Sequence, residues 1–251
     1  LANFNQLLRK IPDEITHSAN VYDANDWVNP LNGYNYDSFN PDVLQGMTVV
    51  NGNIVTKDGM SYKILVITAR TKMNPASIIS NQSIKKVIEL VKAGATVLID
   101  TFYKKQLIKN GVAFHFVNDK KIISSTFGKG KFVLTPFVAE SFEALGVDRD
   151  VDILKNNVKY SDIAFAHRKI NDTDVYFISN QTSKEKTVKL KLNCKNKEPE
   201  VWNTSNSYIN DSYPASFADG KTMLDLYLAS NESKFIVFRK NIVEPYLNHI
   251  R

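Results

Sequence analysis

The hydrophobic pattern of this chain changes period near residue 150, which restricts it to two different architectures in succession. Before that point, strand and helix signals alternate. Tyr62-Lys-Ile-Leu-Val-Ile67 and Ala95-Thr-Val-Leu-Ile99 are near-continuous apolar runs, as expected of strands covered on both faces. Between them Ile84, Val87, Ile88 and Val91 recur at helical spacing, which predicts a helix from about Pro75 that Gly94 ends. A short helix ends near Gly111, strands follow at 112–117, 121–126 and 131–135, and a last helix over 138–145 is closed by Gly146. Strand-helix-strand order predicts an α/β layer built on a parallel sheet with right-handed crossovers. Upstream, Thr48–Val55 is two short apolar runs around Asn51-Gly52, the preferred pair for a tight hairpin turn.

After residue 150 the helical period disappears. The runs Ile163–His167, Asp174–Ser179, Thr187–Asn193, Pro199–Trp202, Lys221–Leu228 and Phe235–Arg239 are strand-like and separated by turn clusters such as Asn171-Asp172-Thr173. Repeated short strands at this spacing predict an antiparallel β-sandwich, with 241–251 as a short helix or tail. Residues 1–45 read as a connecting segment. A short helical opening at Phe4–Arg9 leads into Val21–Asp37, which is dense in Asn, Asp and aromatic residues and has neither helical nor strand periodicity. The expected divisions are therefore 1–45, 46–150 and 151–251.

The composition of the 251 residues, 43% hydrophobic and 23% charged, is that of a soluble globular protein. The longest apolar runs are too short to cross a bilayer, so no membrane partner is expected. The chain starts at Leu1 rather than Met, which fits a processed or truncated product whose signal lay upstream. The net charge of +6 is unevenly spread: −4 over 1–60, from three Lys/Arg against seven Asp/Glu, then +7 over 61–150 and +3 over 151–251. The basic residues are mostly lysines, scattered singly or in pairs, with little Arg. They read as a solvated surface, and nucleic acid is not an expected partner. The single cysteine, Cys194, excludes an internal disulfide framework and a cysteine-rich zinc site. The four histidines form no ligand-spaced pair.

Three stretches, taken in order, carry a family resemblance. The first is Gly33-Tyr-Asn-Tyr-Asp-Ser-Phe-Asn40 with Asp42-Val-Leu44. The second is Asp58-Gly-Met-Ser-Tyr-Lys-Ile-Leu-Val-Ile67, with Leu90–Val97 and Gly128-Lys-Gly-Lys131 after it. The third is Ala166-His-Arg-Lys169, Asp174–Asn180, Pro199-Glu-Val-Trp202 and Ser233–Arg239. Together, over residues 33–239, they resemble glycoside hydrolase family 106, the α-L-rhamnosidase-like family. The resemblance implies an α/β layer of the glutamine-amidotransferase-like (flavodoxin-like) kind, with a parallel sheet and helices, followed by a sandwich. It also implies rhamnose-containing glycans as substrate, a secreted or periplasmic bacterial protein, and an N-terminal catalytic barrel of the same polypeptide as partner. This chain has no room for a barrel before residue 33, so the catalytic acid and base are expected to be absent.

The residues themselves point the same way. Amidotransferase chemistry needs a cysteine nucleophile at a strand end beside a histidine. The strand ends at Thr68, Asp100 and Pro136 supply none, and Cys194 falls in an expected sandwich strand. No Gly-x-Ser-x-Gly elbow occurs. A self-sufficient glycosidase needs two facing carboxyl groups. Asp37, Asp100, Glu140 and Asp162 are the candidates, each also explicable as a cap, turn or surface residue. Gly128-Lys-Gly-Lys131 reads as a turn between strands, because it lacks the longer loop of a nucleotide-binding motif. No catalytic residue is expected. The candidate sugar-binding residues are Tyr34, Tyr36, Asp37 and Asn40, with His167 and Arg168. Aromatic rings stack on sugar faces, and Asp, Asn and Arg hydrogen-bond to hydroxyls. The competing role for the tyrosines is a wedge between domains, and Trp202 is expected in the sandwich core. No cofactor is expected. Calcium stays open, since the Asp/Asn-rich loop offers oxygen ligands but no twelve-residue calcium pattern. The function expected is an accessory, non-catalytic region of a glycoside hydrolase. The alternative is a stand-alone carbohydrate-binding protein.

Overall fold

The computed structural model describes residues 31–69, 77–119, 122–134, 138–154, 158 and 162–242. Within these, two compact units separate: one over 37–147, and one over 148–242 that also takes in 32–36. The helix read at Phe4–Arg9, the loop as far as Pro30, the helix start near Pro75 and the tail beyond residue 242 lie outside the described residues.

The first unit begins with helix α1, Pro41–Gly46, where Asn40 caps the N-terminus by accepting from Val43 N at 2.9 Å. Strands β1 (Thr48–Val50), β2 (Asn53–Val55) and β3 (Ser61–Tyr62) form a three-stranded antiparallel sheet. The β1–β2 hairpin turns on Asn51-Gly52, both at positive φ (51° and 83°), as the expected tight turn requires. A five-stranded sheet follows, in the order β4-β5-β8-β7-β6. Its strands are β4 (Leu65–Ile67), β5 (Thr96–Ile99), β6 (Phe116–Asp119), β7 (Ile122–Phe127) and β8 (Gly130–Val133). Helix α2, Asn81–Ala93, lays Ile84, Val87, Leu90 and Val91 into the core beneath it. Ser80 caps its start by accepting from Ser83 N, and Gly94 (φ 128°) ends it. Helices α3 (Lys104–Lys109) and α4 (Ala139–Ala144) are short, so the described residues are mostly strand with few helices.

This sheet corrects the all-parallel expectation. β4, β5 and β8 run parallel, whereas β6–β7 and β7–β8 pair antiparallel. The connections explain the difference. Parallel neighbours need a crossover of a dozen or more residues, which α2 supplies between β4 and β5. The Gly128-Lys129 turn leaves no room for one, so β7 and β8 form a hairpin with Phe127 opposite Gly130. The Gly-Lys-Gly-Lys stretch is thus a turn between strands, as read.

The second unit is all antiparallel. One sheet has the order β10-β11-β17-β13-β14, over Ile163–Ile170, Thr173–Asn180, Ser233–Asn241, Lys197–Asn203 and Ile209–Asn210. The other has the order β15-β16-β12-β9, over Ser216–Ala218, Lys221–Leu228, Lys186–Leu192 and Val151–Ile153. Both contribute inward side chains to one core: Tyr176, Ile178, Val201, Ile236 and Phe238 from the first, and Val151, Val188, Leu190, Leu224 and Leu226 from the second. β16 shows the period-two logic, burying Thr222, Leu224, Leu226 and Leu228 while Asp225 and Tyr227 face water. The result is a two-sheet sandwich.

Candidate functional site

Strands β10 and β11 are joined by a turn at Asn171 (φ 54°), which sets the register Ile163↔Asn180 through Ile170↔Thr173. On the inward face, residues 163 and 165 are apolar, and the face then turns polar at His167 and Lys169. Opposite them stand Tyr176 and Asp174. The ring of His167 stacks on that of Tyr176, with centroids 4.0 Å apart and planes within 6°. Its Nδ1 lies 2.9 Å from Oδ2 of Asp150, and its Nε2 lies 3.1 Å from Oδ1 of Asp174. Tyr176 also donates its hydroxyl to Asp150 at 3.2 Å. Asp150 immediately precedes β9 of the other sheet, so the imidazole ties the two sheets together.

The second carboxylate has further partners. Lys197 Nζ approaches Asp174 Oδ2 at 3.4 Å and Asp172 Oδ1 at 3.1 Å, and donates to the Asp172 carbonyl. The thiol of Cys194 points at Asp174 Oδ2 from 3.8 Å, and Lys169 Nζ lies 3.8 Å away. Burial alone would lower the pKa of His167, but the hydrogen bonds and charges of Asp150 and Asp174 outweigh it and raise the value. A carboxylate at each ring nitrogen favours the protonated form, in which both nitrogens donate. The Cys194 thiol, pushed up to about 12 by burial and then by Asp174, stays protonated. Cys194 lies just beyond the end of β12 at Leu192, not in a strand as expected.

In this arrangement the imidazole of His167 has no free nitrogen to act as a general base. A base needs a free ring nitrogen within reach of substrate, and both nitrogens here are held by carboxylates. Its chemistry is that of a charged brace. Of its members only His167 was a candidate from sequence. Asp150, Asp174, Tyr176 and Lys197 were not, because strand register, not sequence spacing, collects them.

A second buried charge sits on the opposite face of the five-stranded sheet. Glu200 in β13 is fully buried, accepting from Arg239 Nε at 2.8 Å and from Trp202 Nε1 at 3.1 Å. The Arg239 guanidinium lies 5.5 Å from the Trp202 ring centroid. Val201 points into the core, so alternation places Trp202 on the other face, correcting its expected core position. Burial would raise the Glu200 pKa, but Arg239, Trp202 and then Lys240 hold it below the ordinary carboxylate value of 4.5. The stabilisation this represents is present above that value and is lost as pH falls through the depressed one. Glu200→Gln is expected to remove that acid-side loss, read as a flatter thermal midpoint between pH 5 and pH 3 (roughly the carboxylate range).

The other expected site residues divide between the units. Tyr34 is buried in the sandwich unit, its ring 5.6 Å from the Arg149 guanidinium, and Gly33 O accepts from Asp150 N and Val151 N. Tyr36 is half-buried. In the other unit, Asp37 accepts from the Tyr62 hydroxyl at 2.6 Å, and Asn40 is the cap of α1. Arg168 is exposed and donates to the carbonyl of His167, facing away from its neighbour's side chain. Asp100 caps the turn at Phe102, and Asp162 pairs with Lys186 at 3.1 Å. Among the described residues, no group of three or more His, Cys, Asp or Glu side chains is arranged to hold a metal ion, and no helix is long and apolar enough to cross a membrane.

The family profile described as alpha-L-rhamnosidase, of glycoside hydrolase family 106, matches residues 12–213. The chain belongs to that family. This family 106 chain is 30% identical over 210 residues to a putative beta-glucuronidase of Formosa agariphila, covering 82% of the chain and 17% of that protein. Its fold is similar to a rhamnosidase from Novosphingobium sp. PP1Y, with a TM-score of 0.69 and 21% identity over 87% of the chain and 21% of the other. The family 106 chain therefore spans about a fifth of the length of each of these relatives.

Proposed function

We propose that this chain is an accessory, non-catalytic region of a secreted or periplasmic bacterial glycoside hydrolase acting on rhamnose-containing glycans, with the catalytic carboxylates on an N-terminal barrel of the same polypeptide. The observation that carries this is the small share of its relatives that the chain spans, beside their glycosidase names. The chemistry of the described residues supports it. His167 has no ring nitrogen to spare, the Cys194 thiol stays protonated, and Asp37, Asp100 and Asp162 are engaged by Tyr62, the Phe102 turn and Lys186. Retaining or inverting hydrolysis needs one free acid and one free carboxylate across a sugar ring. The 251-residue chain is expected to release no chromophore from an aryl α-L-rhamnoside, and a longer gene product containing it to do so. Hydrolysis by the 251-residue chain at the rate of the longer product would overturn the proposal.

A further inference from the structure

The chain leaves the sandwich unit after residue 36 and returns to it at residue 148, and these two stretches are tied to each other. Asp150 N and Val151 N both donate to Gly33 O, at 2.7 and 3.0 Å, and Arg149 Nε donates to Asn32 O at 3.2 Å. Asn193 N, just beyond β12, donates to Asp150 O at 2.9 Å. β9, which follows, is an edge strand paired with β12 through three residues. Such a ladder is short against the usual strand of about five or six residues. The side chain that ties this stretch to the other sheet is Asp150, bonded to His167 and to Tyr176.

The two carboxylates on the imidazole differ in what else holds them. Asp174 has Lys197 Nζ at 3.4 Å, Lys169 Nζ at 3.8 Å and the Cys194 thiol at 3.8 Å, with Lys197 shared by Asp172. Asp150 has the Tyr176 hydroxyl at 3.2 Å, and among the described residues the cation paired with it is His167. Arg168 faces away, donating to the His167 carbonyl. Burial and the charge of Asp150 push the Tyr176 hydroxyl far above the ordinary tyrosine value, and the Cys194 thiol is pushed up to about 12. Burial alone would lower the Lys197 value, but Asp172 and Asp174 raise it. As pH rises through neutrality, hydroxyl, thiol and ammonium therefore keep their protons and the imidazole gives one up. A neutral ring donates from one nitrogen and carries no charge. Asp174 then still has its lysines. Asp150, with 13% of its side chain exposed, is left without a cation, and a buried carboxylate in that position is destabilised until it reaches water.

We propose that His167 is a pH-operated latch: charged, it holds Asp150 and through it residues 32–36 and 149–151 on the sandwich; neutral, it lets these stretches open locally. The switch releases one proton to water and changes no covalent bond. The folded-state value of His167 is raised, so the closed latch is fully stabilised below the ordinary 6.5 and loosens as pH rises through the raised value. The opening is local, distinct from unfolding of the whole sandwich. It is independent of the glycosidase reading.

The test is amide hydrogen exchange of the 251-residue chain over a series of pH values from about 6 upward (just below the ordinary histidine value). Each rate is divided by the intrinsic rate at that pH, and the series is repeated in low denaturant. The amides of Asp150, Val151 and Asn193 are expected to lose protection as His167 titrates, by about tenfold for each unit by which its NMR midpoint exceeds the ordinary value. Their protection should not change with denaturant, because a local opening exposes little new surface, whereas that of the central β11–β17 ladder should fall. His167→Gln, which cannot take a charge, should give these three amides, at the lowest pH, the protection that the wild type shows at the highest. If that variant fails to fold, the wild-type series decides alone. Three amides that ignore pH, or that follow the denaturant slope of the central ladder, would overturn the latch. So would a loss of protection confined to the Asn171 turn beside Lys197, which would make Asp174 the carboxylate released.

Discussion

His167→Leu is expected to destabilise the sandwich unit by about 3 kcal/mol, the lower end of the cost of breaking a buried ion pair. The lower end applies because the three side chains keep 14%, 13% and 10% of their surface in contact with solvent. Leucine fills the space of the ring, so the loss comes mainly from Asp150 and Asp174, left without the donor that joined them. Tyr176 retains its bond to Asp150 but loses the stacked ring. Chemical denaturation followed by circular dichroism measures the loss. The pH profile separates this from ordinary packing damage. The folded-state pKa of His167 is raised above the ordinary 6.5, so its stabilisation is fully present below that value and is lost as pH rises through the raised one. The wild-type chain should lose stability over that interval above pH 6.5, and His167→Leu should not. A variant that keeps the wild-type profile would show that another group carries the effect.

Gly130→Ala is expected to cost the α/β unit about 3 kcal/mol, at the upper end for an overpacked core position. A Cβ at residue 130 would lie 2.2 Å from the carbonyl oxygen of Ala95 and 2.5 Å from that of Val91. Neither oxygen is free to move. Ala95 O accepts from Lys131 N at 3.1 Å, and Val91 O accepts from Gly94 N at 3.0 Å. The strain therefore has to open either the end of α2 or the β5–β8 pairing. Lys129→Ala, in the same turn, should leave stability nearly unchanged. Equal behaviour of the two variants in thermal denaturation would remove the steric account.

Much of the fold was legible from local pattern. The Asn51-Gly52 hairpin, the helix packing Ile84, Val87 and Val91, its Gly94 stop and the strand-rich second half all rest on period and turn chemistry within a few residues. Gly128-Lys-Gly-Lys131 was legible as a turn, but the steric need for Gly130 was not, because the atoms it would strike belong to the end of a helix some thirty-five residues earlier. The mixed sheet was missed because the alternation of strand and helix was extended past β5, where short connections permit only hairpins. Trp202 was placed in the core on its apolar character, and only the inward position of Val201 shows that it faces the other way.

The site divides along the same line. His167 was named from sequence only as a sugar-binding candidate beside Arg168, and the ordered motifs from Gly33 to Arg239 placed the chain in its family. That Asp150 and Asp174 grip its two nitrogens was decided by tertiary structure alone, as were the Lys197 and Cys194 contacts. Sequence by itself determined which segments are strands and helices, because periodicity is a property of neighbouring residues. Only strand register and sheet packing could decide which charges meet, because those partners lie between 7 and 23 positions apart.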